Sequence, residues 1–226
     1  MKKQSAALCT IFLCCAVPFF GQPAAPPEAS ASGENTGDFE LLQNRFGGVT
    51  IVSYRGTEKT VVIPETAGGL PVTIIGNKAF YRRDLQSVVI PETVVTIEPL
   101  AFAENRLASV TIAGCVSIGY EAFAGNELTA VVLSERLSSI GQRAFMKNRL
   151  TALLLPPRIT NIGADAFREN PLSSITAGAD RNFFASQGFE VSFVNYYVGT
   201  GRRAGTYVKN SGVWSLREDP GPGRPE

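Results

Sequence analysis

The side chains that most often carry catalysis are scarce and scattered in this chain. None of its 226 residues is histidine, which excludes Ser-His-Asp and Cys-His nucleophiles and histidine-ligated metal centres. The aspartates are spread over positions 38, 84, 165, 180 and 219. Neither a Walker loop nor a clustered Gly-x-Gly-x-x-Gly occurs. Hydrolysis by a carboxylate pair is the remaining chemistry. We expect no enzyme, no metal and no cofactor.

The beginning of the chain has the pattern of an export signal. Lys2 and Lys3 precede an apolar run from Ala6 to Phe20, which has about the length of a signal-peptide core. Pro18 interrupts this run, which is also too short for a membrane span. We place cleavage after Gly21; the alternative Ala29-Ser30-Ala31 fits the small-residue rule better but lies far from the apolar run. We expect a secreted, cell-surface or periplasmic protein without a membrane span. The formal net charge of +1 lacks the basic excess of nucleic-acid binders.

The positions of the cysteines are consistent with a signal peptide that is removed from the mature chain. Cys9, Cys14 and Cys15 lie within the predicted signal, so Cys115 is alone in the mature chain and cannot form an intramolecular disulfide. A lipid anchor at Cys14 or Cys15 stays an alternative, which the bulky Leu13 disfavours. We interpret Cys115 as a buried thiol because it occupies an inward position of a repeat.

The dominant feature of the sequence is an Ala-Phe pair that recurs at nearly fixed spacing. The intervals between successive phenylalanines are 22, 21, 22 and 22 residues. So regular a period predicts a solenoid, in which each unit buries its apolar side only against its neighbours. The five pairs are Ala79-Phe80, Ala101-Phe102, Ala122-Phe123, Ala144-Phe145 and Ala166-Phe167.

Around each phenylalanine the other core positions also repeat. An isoleucine stands five residues before it, and a Leu-x-x-Val-x-Ile-like segment begins five residues after it. The β-branched residues of that segment, and the proline that follows it in two repeats, favour one short strand per repeat. We therefore predict a β-rich solenoid, wound as a right-handed coil, with the repeat strands in a parallel sheet. The Ile-Gly-x-x-Ala-Phe segment would form the opposite side of each coil.

Polar positions repeat with the same period. Asparagine stands three residues after the phenylalanine in four repeats, at Asn105, Asn126, Asn148 and Asn170. Because an asparagine side chain satisfies both a free carbonyl and a free N–H, we predict an internal asparagine ladder. The next row alternates in sign, as Asp84, Arg106, Glu127 and Arg149, which suggests exposed ion pairs between repeats.

Both ends of the array are expected to carry caps. A hairpin from Phe39 to Tyr54 and a strand from Thr60 to Ile63 would cover the first repeat. At the other end, Phe189–Val198, Gly205–Lys209 and Val213–Leu216 have the composition of strands. The predicted organisation is a signal peptide (1–21), a disordered linker (22–37), an N-terminal cap (38–74), repeats (75–177), a C-terminal β cap (178–217) and a disordered tail (218–226).

The units Ile-Gly-x-x-Ala-Phe and Asn-x-Leu-x-x-Val-x-Ile-Pro resemble the BspA-like leucine-rich repeats of treponemal and some oral bacterial surface proteins. The entry segments Val49–Gly56 and Val62–Thr73 also look like those of that family. The resemblance covers roughly Phe39 to Ala177. It implies a leucine-rich repeat fold and a role in cell-surface adhesion or in binding of host matrix proteins. It supplies no ligand motif that could be assigned to particular residues.

The repeat strands offer the candidate binding surface. Strand alternation places one uncharged row outward, with uncharged and non-aromatic neighbours; its members are Val89, Thr111, Val132, Leu154 and Thr176. A plain structural reading, in which β-propensity alone explains these residue types, stays open. The loop of Tyr81, Arg82 and Arg83 is a second candidate contact.

The small size of this surface shapes the predicted function. Six strands about 4.8 Å apart, each exposing some 10–15 Å, give roughly 300–400 Å², whereas a standard interface takes about 800 Å² per partner. We predict an exported, adhesin-like module that binds host or neighbouring-cell surface proteins weakly or multivalently. The alternative is a structural envelope component that associates with other repeat proteins of the same cell through an exposed cap edge.

Overall fold

Two short strands per repeat build this protein, one on each side of the coil. A computed structural model describes residues 37–178, 189 and 191–217. The predicted signal peptide, nearly all of the linker and the C-terminal tail lie outside the described residues.

The chain enters through a hairpin, as the sequence predicts. Strand β1 (Phe39–Gln43) pairs antiparallel with β2 (Val49–Tyr54). Next come β3 (Thr60–Val62), β4 (Thr66–Ala67) and β5 (Leu70–Ile75). Because β2 pairs in parallel with β5, the hairpin becomes the first part of the sheet that the repeats continue.

From this point each repeat adds one longer and one two-residue strand. The longer strands, together with β3, form what we call the front ladder, and the two-residue strands, together with β5, form the back ladder. The front strands of the repeats are β6 (Ser87–Val89), β8 (Ser109–Ile112), β10 (Ala130–Leu133), β12 (Ala152–Leu154) and β14 (Ser174–Ala177); the back strands are β7 (Thr96–Ile97), β9 (Ser117–Ile118), β11 (Ser139–Ile140) and β13 (Asn161–Ile162).

Both ladders are parallel, but they differ in continuity. The strands of the back ladder lie in one unbroken sheet, which β2 and β1 extend at its beginning; the order is β1-β2-β5-β7-β9-β11-β13. The front ladder pairs in twos, β3 with β6, β8 with β10, and β12 with β14. The parallel pairing of the repeat strands is confirmed. That the opposite side of each coil is also a strand ladder is a finding of the structure.

A column of phenylalanines fills the space between the ladders. Successive rings from Phe80 to Phe167 have centroids 4.8, 5.2, 5.3 and 5.4 Å apart and lie within 14° of parallel. Tyr54 stacks on the first ring and Phe189 on the last. Each buried ring contributes roughly 1.5–3 kcal/mol of transfer free energy. The column therefore joins neighbouring repeats into one core.

The predicted asparagine ladder is confirmed. Asn126 shows the pattern: its Oδ1 accepts the N–H of Leu107 at 3.1 Å, and its Nδ2 donates to the carbonyls of Phe102 and Phe123 at 3.0 and 3.1 Å. Asn105, Asn148 and Asn170 make equivalent bonds. Each asparagine thus satisfies backbone groups of its own repeat and of the preceding one where the coil turns.

Tight turns on both sides of each phenylalanine use left-handed backbone. The residues two before and two after the ring have φ between 50° and 67° in all five repeats. Only Gly125 among these ten positions is glycine, although the left-handed conformation costs another residue about 1–2 kcal/mol. The ten are Lys78, Leu100, Glu121, Arg143 and Asp165 before the ring, and Arg82, Glu104, Gly125, Lys147 and Glu169 after it.

The C-terminal cap corrects one expectation. The predicted strands are present as β15 (Gly205–Asn210) and β16 (Val213–Arg217), and the structure adds that they extend β14 in antiparallel order. The prediction of a strand over Phe189–Val198 is wrong: α1 spans Val191–Gly199. Within this helix Phe193 and Tyr197 are both buried, and a spacing of four residues brings side chains to the same face of a helix.

Candidate protein-binding face

The outward side chains of the front ladder form a row, one residue per repeat. We call the set Val62, Val89, Thr111, Val132, Leu154 and Thr176 the front row. Register fixes its alignment, since Val62 pairs with Val89, Val132 with Thr111, and Leu154 with Thr176. Alternation turns the neighbouring Val88, Val110, Leu153 and Ile175 into the core.

Four of the six side chains of the front row are apolar, and three of these four are exposed to solvent. The exposed fraction is 50% for Val62, 58% for Val132 and 68% for Leu154. Thr111 is exposed, and Val89 and Thr176 are half-buried. Val62 is the member that sequence reasoning did not place in the row, although Val61-Val62-Ile63 repeats the pattern Val88-Val89-Ile90.

The C-terminal cap closes one end of the row. Strand β15 lies beside β14, and the Thr176 hydroxyl is 2.9 Å from the Thr206 hydroxyl. Thr176 is therefore held within the protein, and the part of the row open to a partner runs from Val62 to Leu154.

The loops that follow the phenylalanines form a second surface, here called the loop wall. Its predicted ion pairs are confirmed where Arg106 meets Asp84 at 2.6 Å and Arg149 meets Glu127 at 3.1 Å. These two loop-wall pairs are solvent-exposed, so each contributes under about 1 kcal/mol. Their main consequence is that charges of opposite sign neutralise one another along this wall. Outside the loop wall, on the turns before the phenylalanines, Arg143 pairs with Glu121 at 3.5 Å.

Tyr81, Arg82 and Arg83 lie at the beginning of the loop wall, outside the front row. The Tyr81 ring has the Arg82 guanidinium 5.1 Å from its centroid and the Lys78 ammonium 5.9 Å from it. The backbone of Arg83 is used internally: its N–H donates to Asn105 Oδ1 and its carbonyl accepts from Lys59 Nζ. Three further residues separate this loop from β6. The structure therefore does not bring the two sets of candidate residues together.

On the other side of the front row, three glutamates follow the front strands. Glu65, Glu92 and Glu135 occupy the same position relative to β3, β6 and β10, and all are exposed. Among the described residues none of the three carboxylates takes part in an ion pair or a side-chain hydrogen bond. The carboxylates of Glu65 and Glu92 are therefore not neutralised within the described part of the protein, whereas the exposed Arg136 follows Glu135 directly and the exposed Arg158 lies four residues after Leu154.

The thiol of Cys115 is buried, as the sequence predicts, and burial raises its pKa to about 12. It lies 3.3 Å from the Val95 carbonyl and 3.2 Å from that of Ser117. At neutral pH the group stays protonated, and a protonated thiol is a poor nucleophile. In the part of the chain that the structure describes, no three His, Cys, Asp or Glu side chains are grouped so as to hold a metal.

The repeat region of the chain matches a known protein family. The model of the BspA type leucine-rich repeat region matches residues 73–194 in six copies. The chain belongs to the BspA-type leucine-rich repeat family. The match extends past the fifth Ala-Phe pair, and Phe189, which continues the ring column without a preceding alanine, lies within it. No curated protein matches the chain in sequence.

Several solved bacterial structures are similar. A leucine-rich repeat protein from Bacteroides ovatus is 25% identical with a TM-score of 0.54; the match covers 62% of this chain and 40% of that protein. A leucine-rich repeat protein of T. pallidum is 23% identical, with a TM-score of 0.44 and coverage of 62% and 68%. A leucine rich cell surface protein from Faecalibacterium prausnitzii is 25% identical, with a TM-score of 0.38 and coverage of 81% and 62%.

The Bacteroides ovatus likeness supports the solenoid fold. Because the chain spans only 40% of that protein's length, the likeness says nothing about the activity of the whole relative. Among the described residues, no helix is both long and apolar enough to cross a membrane.

Proposed function

We propose that this protein is an exported, non-enzymatic binding module that contacts host or neighbouring-cell surface proteins through the front row. The observation that carries the proposal is the front row from Val62 to Leu154, in which Val62, Val132 and Leu154 are apolar and exposed to solvent. On the loop wall, by contrast, outward charges pair between repeats. An apolar row left uncovered in this way is typical of an interaction site.

The area of the row limits the affinity. At roughly 300–400 Å² it is smaller than the ~800 Å² that a standard interface takes from each partner. One copy is therefore expected to bind weakly, and tight attachment requires several copies side by side or additional contacts from Tyr81, Arg82 and Arg83. An adhesin that acts through many weak contacts fits this constraint.

A capture experiment with matched variants tests the proposal. The purified protein is immobilised at high density and exposed to host matrix and serum proteins. We expect Val132→Glu and Leu154→Glu to reduce the captured protein at least about fivefold, because a carboxylate would have to be desolvated in the contact. Leu42→Glu is the control, since Leu42 is 63% exposed, similar to Leu154, but lies on the N-terminal hairpin. Capture that both front-row variants leave unchanged contradicts the proposal.

A second candidate function is favoured by the N-terminal hairpin. Among the described residues β1 pairs only with β2, and Leu42 and Phe46 of this hairpin are 63% and 70% exposed. An open strand edge with apolar neighbours favours strand pairing with another chain. This arrangement suits a structural envelope component that associates with other repeat proteins of its own cell.

The two proposed functions require different cellular locations and different binding residues. Proteolysis of intact cells should digest an adhesin and spare a component enclosed by the envelope. Capture from the protein's own envelope fraction that is lost with Leu42→Glu, and kept with Leu154→Glu, would favour the structural component.

A further inference from the structure

The spacing of the front row matches one kind of partner. Successive repeats are about 5 Å apart, as the ring centroids of 4.8–5.4 Å show for the core. Hydrogen-bonded strands keep a similar spacing of about 4.8 Å. An α-helix advances about 5.4 Å per turn. A helix laid across the front strands, with its axis along the stack, therefore presents one side chain of its apolar stripe to each repeat.

An extended partner fits the same row poorly. Side chains on one face of a strand are about 6.8 Å apart, so a strand running along the stack falls out of register by nearly 2 Å per repeat. A strand parallel to the front strands would stay within one or two repeats and leave the other members of the row uncovered.

The charges beside the row add a second requirement. Glu65 and Glu92 lie along one flank and have no cationic partner among the described residues. On the opposite flank, the position next to Val62 is Lys59, which pairs with Asp84 at 3.5 Å, and the corresponding positions of the five repeats are uncharged: Gln86, Ala108, Thr129, Thr151 and Ser173. Beyond them, Asp84 and Glu127 are already paired with arginines. A complementary partner carries lysine or arginine on one side of its apolar stripe only.

We propose that the front row binds an amphipathic α-helix of the partner protein, lying along the stack axis with basic residues toward Glu65 and Glu92. From Val62 to Leu154 the row covers four steps of about 5 Å, which a helix of roughly 14 residues spans. The stripe of such a helix packs on Val62, Val132 and Leu154, which are the open apolar members. This inference rests on the proposed function, because it assumes that the front row is the binding surface.

Selection from a random peptide library tests the inference without knowledge of the natural partner. Displayed peptides of about 18 residues, long enough for five helical turns, are selected on the immobilised full-length protein and then counter-screened on the Val132→Ser/Leu154→Ser variant. We expect the peptides that lose binding to this variant to have apolar residues at intervals of three and four, with lysine or arginine on one flank. Their far-UV circular dichroism should show added helix on binding.

Separate variants test whether the bound helix carries basic residues on one flank. Glu65→Gln and Glu92→Gln should each weaken the selected peptides about two- to fivefold at low salt, as expected for exposed ion pairs. Glu104→Gln on the loop wall should leave binding unchanged. Equal effects of all three changes would overturn the assignment of the basic flank.

The outcomes separate this inference from the proposed function. Peptides that depend on the front row but alternate apolar and polar residues overturn the helix and keep the front row as the binding surface. Peptides that bind equally well to the Val132→Ser/Leu154→Ser variant overturn both. Absence of any enriched peptide overturns the helix as the preferred partner.

Discussion

Both ladders run through the repeats, with six strands on the front and five on the back, yet their outward residues differ. On the back ladder the outward positions Thr96, Ser117, Ser139 and Asn161 are hydroxyl and amide side chains that contact one another: Ser117 Oγ lies 3.5 Å from Thr96 Oγ1, and Asn161 Nδ2 donates to Ser139 Oγ at 3.2 Å. The first strand of the back ladder contributes the half-buried Ile74 to the same row. On the front ladder Val62, Val132 and Leu154 are apolar and exposed. The back ladder thus pairs several of its outward polar groups, and the front ladder leaves apolar side chains in contact with solvent.

This difference teaches that two surfaces built with the same period can differ in chemistry. Within the five repeats both ladders recur at 21–22 residues, and every strand of the two ladders except β10 buries an isoleucine, leucine or valine. What distinguishes the front ladder is the residue type at one outward position per repeat. The following tests separate groups that hold the ladders together from groups that only face outward.

The largest effect is expected from Phe123→Ala. The Phe123 ring is fully buried between the ladders and stacks on both neighbouring rings. Its removal should lower the free energy of unfolding by about 3–5 kcal/mol, measured by chemical denaturation with far-UV circular dichroism. Val132→Ala is the control and should change the value by less than about 0.5 kcal/mol. Similar losses of unfolding free energy from the two variants would show that Phe123 was wrongly assigned to the core or Val132 wrongly assigned to the surface.

Asn126→Ala is expected to cost slightly less. Asn126 is buried and bonds the backbone of two repeats, so its loss leaves an N–H and two carbonyls without their side-chain partner. We expect about 2–3 kcal/mol of destabilisation. Asn161→Ala on the exposed back row should cost under about 0.5 kcal/mol. If both changes cost the same in a thermal melt, the buried ladder has no special structural role.

Gly141→Ala tests how closely the back turns approach. A Cβ at Gly141 would lie 2.5 Å from the carbonyl carbon of Gly119 in the preceding repeat, so the two turns must separate. Such overpacking costs about 1–3 kcal/mol. Gly199→Ala is a matched control, because no atom lies within 4 Å of a Cβ at that position. Hydrogen exchange should show opening next to β11 in the first variant only.

The smallest effect on stability is expected from the double change Val132→Thr/Leu154→Thr, which makes the front row resemble the back row. Both side chains face solvent, so the free energy of unfolding should change by less than about 1 kcal/mol. Binding of partner proteins should fall, measured by the capture experiment. A variant that is strongly destabilised would show that the row contributes to the core and that its exposure is no sign of function.

Several elements could be predicted from the sequence because their signals are local and repeated. The phenylalanine period gave the stack, and the asparagine three residues later gave the internal ladder. Alternation within the Leu-x-x-Val-x-Ile segment placed Val89, Val132 and Leu154 outward. Other elements were missed because their local signals are weak or misleading. The residues Tyr196, Tyr197 and Val198 favour a strand by propensity, but packing of Phe193 and Tyr197 on the end of the stack stabilises the helix α1 instead.

The sequence by itself determined the repeat length, the residues of the core and the row that faces outward. These follow from which side chains avoid water at a fixed period. Only the tertiary structure decided that two-residue segments such as Ser117–Ile118 form the continuous back ladder, because each is held by hydrogen bonds to segments 21 or 22 residues away. It also decided that residues such as Leu100 adopt left-handed turns, since neighbouring coils fix a conformation that the residue type alone does not favour.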